Sequence, residues 1–287
     1  MSRPEFAHPE ALVSTEWVAE HLASPEVRVL EVDYNPDASY RQGHVPGAVL
    51  VDWRRDINHR VRRDIVDSPR AQELLSRCGV LPRTTLVLYG DFSNWFAAFA
   101  LWVFRYYGLP DVRLMDGGRR KWIEEGRPLT QETPPVASTE FPSLTAVEGL
   151  RVDQEFVRAR LDDVMDGRWM LIDVRSPAEF HGEVTAPPEY PNENAQRSGH
   201  IPGARNVPWS EVVRPDGTFK SREELDELYR SWGIVPERPV ITYCRIGERS
   251  SHTWFVLKYL LGYPDVRNYD GSWAEWGNRI GVPIERP

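Results

Sequence analysis

Two cysteines occur in the chain, Cys78 and Cys244, and only Cys244 stands where a thiol could react. It follows the apolar run Val240-Ile-Thr-Tyr243 and precedes the largely apolar stretch Ser250 to Leu261, which stops at Gly262. The loop Cys244-Arg-Ile-Gly-Glu-Arg249 is therefore predicted to join a strand end to a helix start, the place where open α/β sheets carry their ligand sites. A thiol there faces the free N–H groups and positive end of the helix, so it is expected to ionise below the ordinary value of ~8.5. Arg245 and Arg249 add two positive charges, and Gly247 permits backbone angles that turn successive N–H groups inward as an anion cradle. This combination suits sulfur transfer. The thiolate attacks the outer sulfur of a small anion such as thiosulfate, sulfite leaves, and the persulfide formed on Cys244 passes its sulfur to a second nucleophile. Glu248 would oppose ionisation, and it is expected to point away and pair with a surface arginine.

The rest of the composition narrows the field. At 287 residues there is room for one large domain or two ordinary ones, and 41% apolar with 27% charged residues is the balance of a globular protein. The longest apolar run, Trp95 to Phe104, is half a membrane span. Met1 to Glu10 lacks the basic and apolar regions of a secretory signal, so a cytoplasmic location is expected. Two cysteines are too few for a disulfide framework or a Cys-rich zinc site, and neither metal nor cofactor is expected. A net charge of −8 works against nucleic acid or an acidic membrane as partner. An anionic substrate must then be attracted locally, by Arg245 and Arg249.

The elements that position the loop are read from an internal repeat. Gly43-His-Val-Pro-Gly-Ala48 recurs as Gly199-His-Ile-Pro-Gly-Ala204. At a constant offset of 154, Leu86-Val-Leu-Tyr89 matches Val240-Ile-Thr-Tyr243, Gly108-Leu-Pro-Asp-Val112 matches Gly262-Tyr-Pro-Asp-Val266, and Asp116-Gly117 with Trp122 matches Asp270-Gly271 with Trp276. Two copies of one domain follow: residues 1–130 and 150–287, joined by a Pro-, Thr- and Ser-rich linker over 131–149. Each half alternates β-branched runs (Arg28 to Val32, Leu86 to Tyr89, Met170 to Val174, Val240 to Tyr243) with helical stretches. The prediction is an α/β fold of two tandem domains, each a mainly parallel sheet with helices on both faces. Ser221-Arg-Glu-Glu224 reads as a capping box, Ser68-Pro69 as a cap and helix-opening proline, and Gly79 and Gly233 as helix stops. The second half carries an extra polar stretch around Thr185 to Gln196, read as a functional loop.

The paired G-H-x-P-G-A segments, the Asp173-Val-Arg175 strand end and the six-residue cysteine loop resemble the tandem-domain rhodanese family, over nearly the whole chain. Cys-Arg-x-Gly is similar to the loop of its thiosulfate sulfurtransferases. The resemblance implies a catalytic carboxy-terminal domain and an amino-terminal one without its cysteine. The offset agrees, since it carries Cys244 to Gly90, Arg245 to Asp91 and Arg249 to Trp95. It further implies a small anionic donor, thiosulfate, with cyanide or a thiol as acceptor. The sister 3-mercaptopyruvate enzymes usually have Gly after the cysteine, so Arg245 favours an inorganic anion. Ile246 stands where vertebrate thiosulfate enzymes have Lys, and Arg249 is expected to supply the missing charge at the substrate. The further arginine those enzymes use has two candidates here, Arg175 and Arg197.

Other residues read as structural. Cys78 is expected to be a buried small hydrophobe, His44 and His200 to stabilise their matched turns, and His252 to occupy a helix face. Trp53, Trp122, Trp209 and Trp276 repeat as core anchors, and the mixed run Arg54 to Arg63 reads as solvated surface. Asp173 and Arg175 fit an ion pair or a substrate contact equally. Two rival functions remain. One is a phosphatase, whose loops run Cys-x5-Arg where this one runs Cys-x4-Arg; the other is a relay that hands persulfide sulfur to a protein partner.

Overall fold

The computed structural model describes residues 5–186 and 194–286. They divide into two compact units. One comprises Pro9–Glu148 with Val213–Phe219 and is called the amino-terminal unit; the carboxy-terminal unit holds residues 5–8, 149–212 and 220–286. No helix of the described residues is long and apolar enough to cross a membrane.

In the amino-terminal unit, β1 (Leu12–Val13), β2 (Val27–Asp33), β3 (Val49–Asp52), β4 (Thr85–Tyr89) and β5 (Val112–Met115) pair in the order β1-β5-β4-β2-β3, all parallel. In the carboxy-terminal unit, β6 (Met170–Asp173), β7 (Arg205–Asn206), β8 (Val240–Tyr243) and β9 (Val266–Asn268) pair in the order β7-β6-β8-β9, again all parallel. Read backwards, the second order reproduces the first: β9 stands for β5, β8 for β4, β6 for β2 and β7 for β3. A single parallel bridge from Arg151 to Asn268 takes the place of β1. The sequence repeat is thus a repeat of topology, and the parallel α/β expectation holds in both units. Every residue of β6 and of β8 is buried, as suits strands covered on both faces.

Helix starts follow their caps. The Ser221 box is present, and a second, Ser176 with Glu179, opens the short helix Pro177–Phe180. At the helix Ser68–Arg77 the cap is Asp67, which accepts from Arg70 N–H, whereas the expected cap, Ser68, donates its hydroxyl to Leu144 O. The helix after the cysteine loop spans Glu248–Phe255 and continues as a π-turn, Val256–Leu260. It begins two residues earlier than expected because Gly247, at φ 101°, serves as its N-cap. Glu248 and Arg249 therefore lie on the first helical turn.

The segment 131–149 contains no helix or strand, as its composition predicts, yet it is tied down. Thr139 donates its hydroxyl to Val80 O, Val147 N–H donates to Tyr106 O, and Phe141 is buried. Of the polar stretch expected to be functional, residues 187–193 lie outside the described residues. Of the expected core anchors, Trp122 and Trp276 are fully buried and donate their indole N–H to Pro128 O and Pro283 O, each at 2.9 Å, and Trp53 is buried, whereas its counterpart Trp209 is only partly buried. Cys78 is buried as expected, and burial pushes its thiol up to about 11. His44 stacks on Tyr40 and bonds to Tyr40 O and Glu132 O; His200 stacks on Phe180 and bonds to Phe180 O. Both histidines hold their turns. Arg54, Arg55, Arg60, Arg62 and Arg63 are exposed.

Candidate active site

Cys244 leaves β8 with its backbone clamped to the turn that opens the helix Ser272–Trp276. Its N–H donates to Ser272 Oγ at 3.0 Å, and its carbonyl accepts from Trp273 N–H at 3.0 Å. The Arg245 carbonyl accepts from Ala274 N–H at 2.9 Å. Ser272 holds this place in the left-handed region at φ 53°, a strained conformation for a residue other than glycine. Its hydroxyl passes a hydrogen bond on to Tyr269 O.

At the thiol, Gly247 N–H donates to Sγ at 3.1 Å, the inward N–H expected of an anion cradle. The hydroxyls of Ser250 and Ser251 both donate to Gly247 O, which fixes that peptide. The electrostatics differ from the sequence expectation in three ways. Glu248 does not point away: it is 2% exposed and its Oε2 accepts from Cys244 Sγ at 3.3 Å. Its other oxygen lies 3.6 Å from Arg249 Nε and 3.9 Å from Arg245 Nη2. Arg249, in turn, is buried against Glu179 in a bidentate pair of 2.8 and 3.0 Å. Burial would raise the Glu179 carboxyl, but the Arg249 charge and its hydrogen bonds outweigh it and hold Glu179 at about 2. Two carboxylates thus balance the two guanidiniums that were expected to leave the loop positive. Burial first, and Glu248 second, push the Cys244 thiol up despite Arg249 and the Ser250 hydrogen bonds, so the expected lowering of the thiol does not occur here. The helix end contributes its N–H, but removing the sulfur from water is the larger effect.

The remaining sequence candidates are accounted for. Arg175 and Asp173 form a fully buried ion pair at 2.6 Å, with Arg175 also donating to Gly199 O and lying over the Trp273 ring. Arg197 donates to the carbonyls of Gly277 and Arg279. His252 is buried on the helix after the loop, edge-on to Trp209. Glu179 and Ser272 were not singled out in the sequence. Ser176-Pro-Ala-Glu179 is a readable capping box, and one further step along the offset of 154 from Asp270-Gly271 pairs Ser272 with Gly118, also at positive φ.

The matching loop of the amino-terminal unit closes on itself. Gly90 N–H donates to Asn94 Oδ1 at 3.0 Å, and Asn94 Nδ2 donates to Met115 O. A Cβ at Gly90 would stand 2.4 Å from Val32 O, so no cysteine fits there. Beneath the loop, Glu31 takes the place of Asp173 by strand register and pairs at 2.9 Å with Arg119, the counterpart of Trp273. The counterpart of Arg175 is Asp33. Burial, then the Asp33 charge, pushes the Glu31 carboxyl up to about 8.

Compared with known proteins, the chain matches the Rhodanese-like domain family twice, over residues 14–125 and 157–279. It is 54% identical to the "Sulfur carrier protein TtuD" of Thermus thermophilus over 98% of each chain. It is 49% identical to a "Putative thiosulfate sulfurtransferase" of Saccharopolyspora erythraea over 97% of each. Among solved structures, the anaerobic ergothioneine biosynthesis enzyme of Chlorobium limicola superposes with a TM-score of 0.86 at 25% identity, covering 98% of this chain and 71% of that one. The crystal structure of YnjE does so at 0.86 and 27%, covering 99% and 70%.

Proposed function

Because the chain belongs to the rhodanese family, and so to the sulfurtransferases, we propose that it moves sulfane sulfur from thiosulfate to cyanide or a thiol through a persulfide on Cys244. The observation that carries this reading is the placement of Sγ at the first turn of a helix, with Gly247 N–H aimed at it from 3.1 Å. A terminal persulfide sulfur is an anion, and it would take the same donors that an oxyanion would. Displacement then proceeds in two steps, donor to Cys244 and Cys244 to acceptor.

In this reading Arg245 is the loop cation that meets the donor. Its ion pair with Glu248 is 3.9 Å long, whereas Arg249 is gripped by Glu179 at two points, 2.8 and 3.0 Å. Arg249 is then a positioning residue, since it fixes the first helical turn whose Gly247 and Glu248 touch the sulfur. This revises the sequence expectation that Arg249 supplies the charge at the substrate. A second reading, in which the persulfide sulfur is relayed to a protein thiol, is favoured by the name of the Thermus relative.

A donor panel separates the possibilities. Thiocyanate should form from thiosulfate and cyanide faster than from 3-mercaptopyruvate and cyanide. If only 3-mercaptopyruvate serves, Arg245 does not select an inorganic anion. If neither donor loads the protein while a partner's persulfide does, the relay is the function. Hydrolysis of an aryl phosphate without any thiocyanate would sink both readings.

A further inference from the structure

Cys244 is fully buried, so the group that takes its proton as the sulfur attacks is sought among the protein side chains around it. The groups that face Sγ are Gly247 N–H, which donates, the Ser250 amide and hydroxyl, the Arg249 guanidinium, and the Glu248 carboxylate at 3.3 Å. Arg245 lies behind Glu248, and Glu179 behind Arg249. Of these groups, the carboxylate is the one built to accept a proton. Its place is built: Oε2 is on the sulfur, and Oε1 faces Arg249 Nε and Arg245 Nη2. Were Glu248 merely a neighbour it would be a hindrance, since its charge opposes ionisation of the thiol.

We propose that Glu248 is the general base of the first displacement: it takes the Cys244 proton as sulfur attacks and passes it to the departing oxyanion. This rests on the sulfurtransferase reading. As the bond from Sγ to the sulfane sulfur forms, the S–H bond breaks and its proton moves to Glu248 Oε2. The donor's own S–S bond breaks, and its electron pair leaves on sulfite. Glu248 then protonates a sulfite oxygen and returns to carboxylate. One thiol and one thiosulfate dianion become one persulfide anion and one hydrogensulfite, with charge and protons conserved and no outside oxidant.

Glu248→Gln keeps the shape of the side chain and removes the acceptor. Loading of Cys244 by thiosulfate is followed in a single turnover by the mass gain of one sulfur atom, across pH. The expected result is a rate lower by on the order of 10²-fold at neutral pH, with the deficit closing as pH rises and hydroxide ionises the thiol. Glu248→Asp, which retains a carboxylate, should recover part of the loss with no such alkaline rescue, and it keeps the test open if the Gln variant folds poorly. Loading that is unchanged or faster in Glu248→Gln overturns the proposal, because faster loading is what removal of a merely repulsive charge gives. Loading of Cys244→Ser as in the wild type would instead sink the sulfurtransferase reading itself.

Discussion

The loops Gly90–Trp95 and Cys244–Arg249 leave equivalent strands of two copies of one fold, and they differ in how the first backbone N–H is satisfied. In the amino-terminal unit Asn94 folds its amide back onto Gly90, so the loop interior is filled by its own side chain. In the carboxy-terminal unit the partner comes from outside, as Ser272 Oγ, and the interior is left to the sulfur of Cys244. The matched positions beneath show the same exchange. Asp173 pairs with Arg175 two residues along its own strand end, while Glu31 pairs with Arg119 from the position Trp273 holds in the other unit. A site of this kind therefore depends less on the loop's own residues than on which neighbours leave its centre open.

The largest break in that comparison is expected from Arg249→Ala, which leaves Glu179 buried without its cation. Denaturant titration should show a loss of about 3–5 kcal/mol. The pH dependence follows from Glu179, whose folded value of about 2 lies below its ordinary value of 4.5. A depressed carboxyl contributes stability that is fully present above pH 4.5 and lost as pH falls toward 2. The gap between variant and wild type should accordingly shrink as pH falls through that window.

Ser272→Ala sharpens the comparison at a smaller scale. It strands the buried Cys244 N–H, at a cost of about 1–3 kcal/mol, and should slow persulfide loading. Ser272→Gly, the residue of the amino-terminal unit, should recover the strain of φ 53° but not the loading rate, since the missing acceptor is the same. Equal loading by wild type and both variants would remove Ser272 from the positioning of Cys244.

Below pH 5 the smallest effect is expected at the counterpart of Asp173. The Glu31 carboxyl, raised to about 8 by burial and by Asp33, makes a contribution that is fully present below pH 4.5 and lost as pH rises through 8. Glu31→Gln should be close to neutral below pH 5 and gain on the wild type as pH rises toward 8. Denaturation midpoints followed by tryptophan fluorescence at several pH values would check this.

Much of this was legible in the sequence for a physical reason: a parallel sheet covered on both faces is written as continuous apolar runs, and two copies in one register reveal each other. Val240 to Tyr243 and the cysteine after it could be placed from such a run alone. Ser272 and Glu179 were not legible because they reach the loop from other segments, and nothing local to Cys244 names them. The orientation of Glu248 depends on the balance among Arg245, Arg249 and Glu179, and a linear reading that turned Glu248 outward gave the loop a positive charge it does not have. The thiol's ionisation was misjudged likewise, since a helix end is visible in sequence and the depth of burial is not.

The central claim is that Cys244 carries the sulfur. Intact-protein mass spectrometry after exposure to thiosulfate tests it most directly: the wild type should gain the mass of one sulfur atom, lose it on adding cyanide with release of thiocyanate, and Cys244→Ser should do neither while keeping its fold. A Cys244→Ser protein that still gains and transfers sulfur would contradict the account.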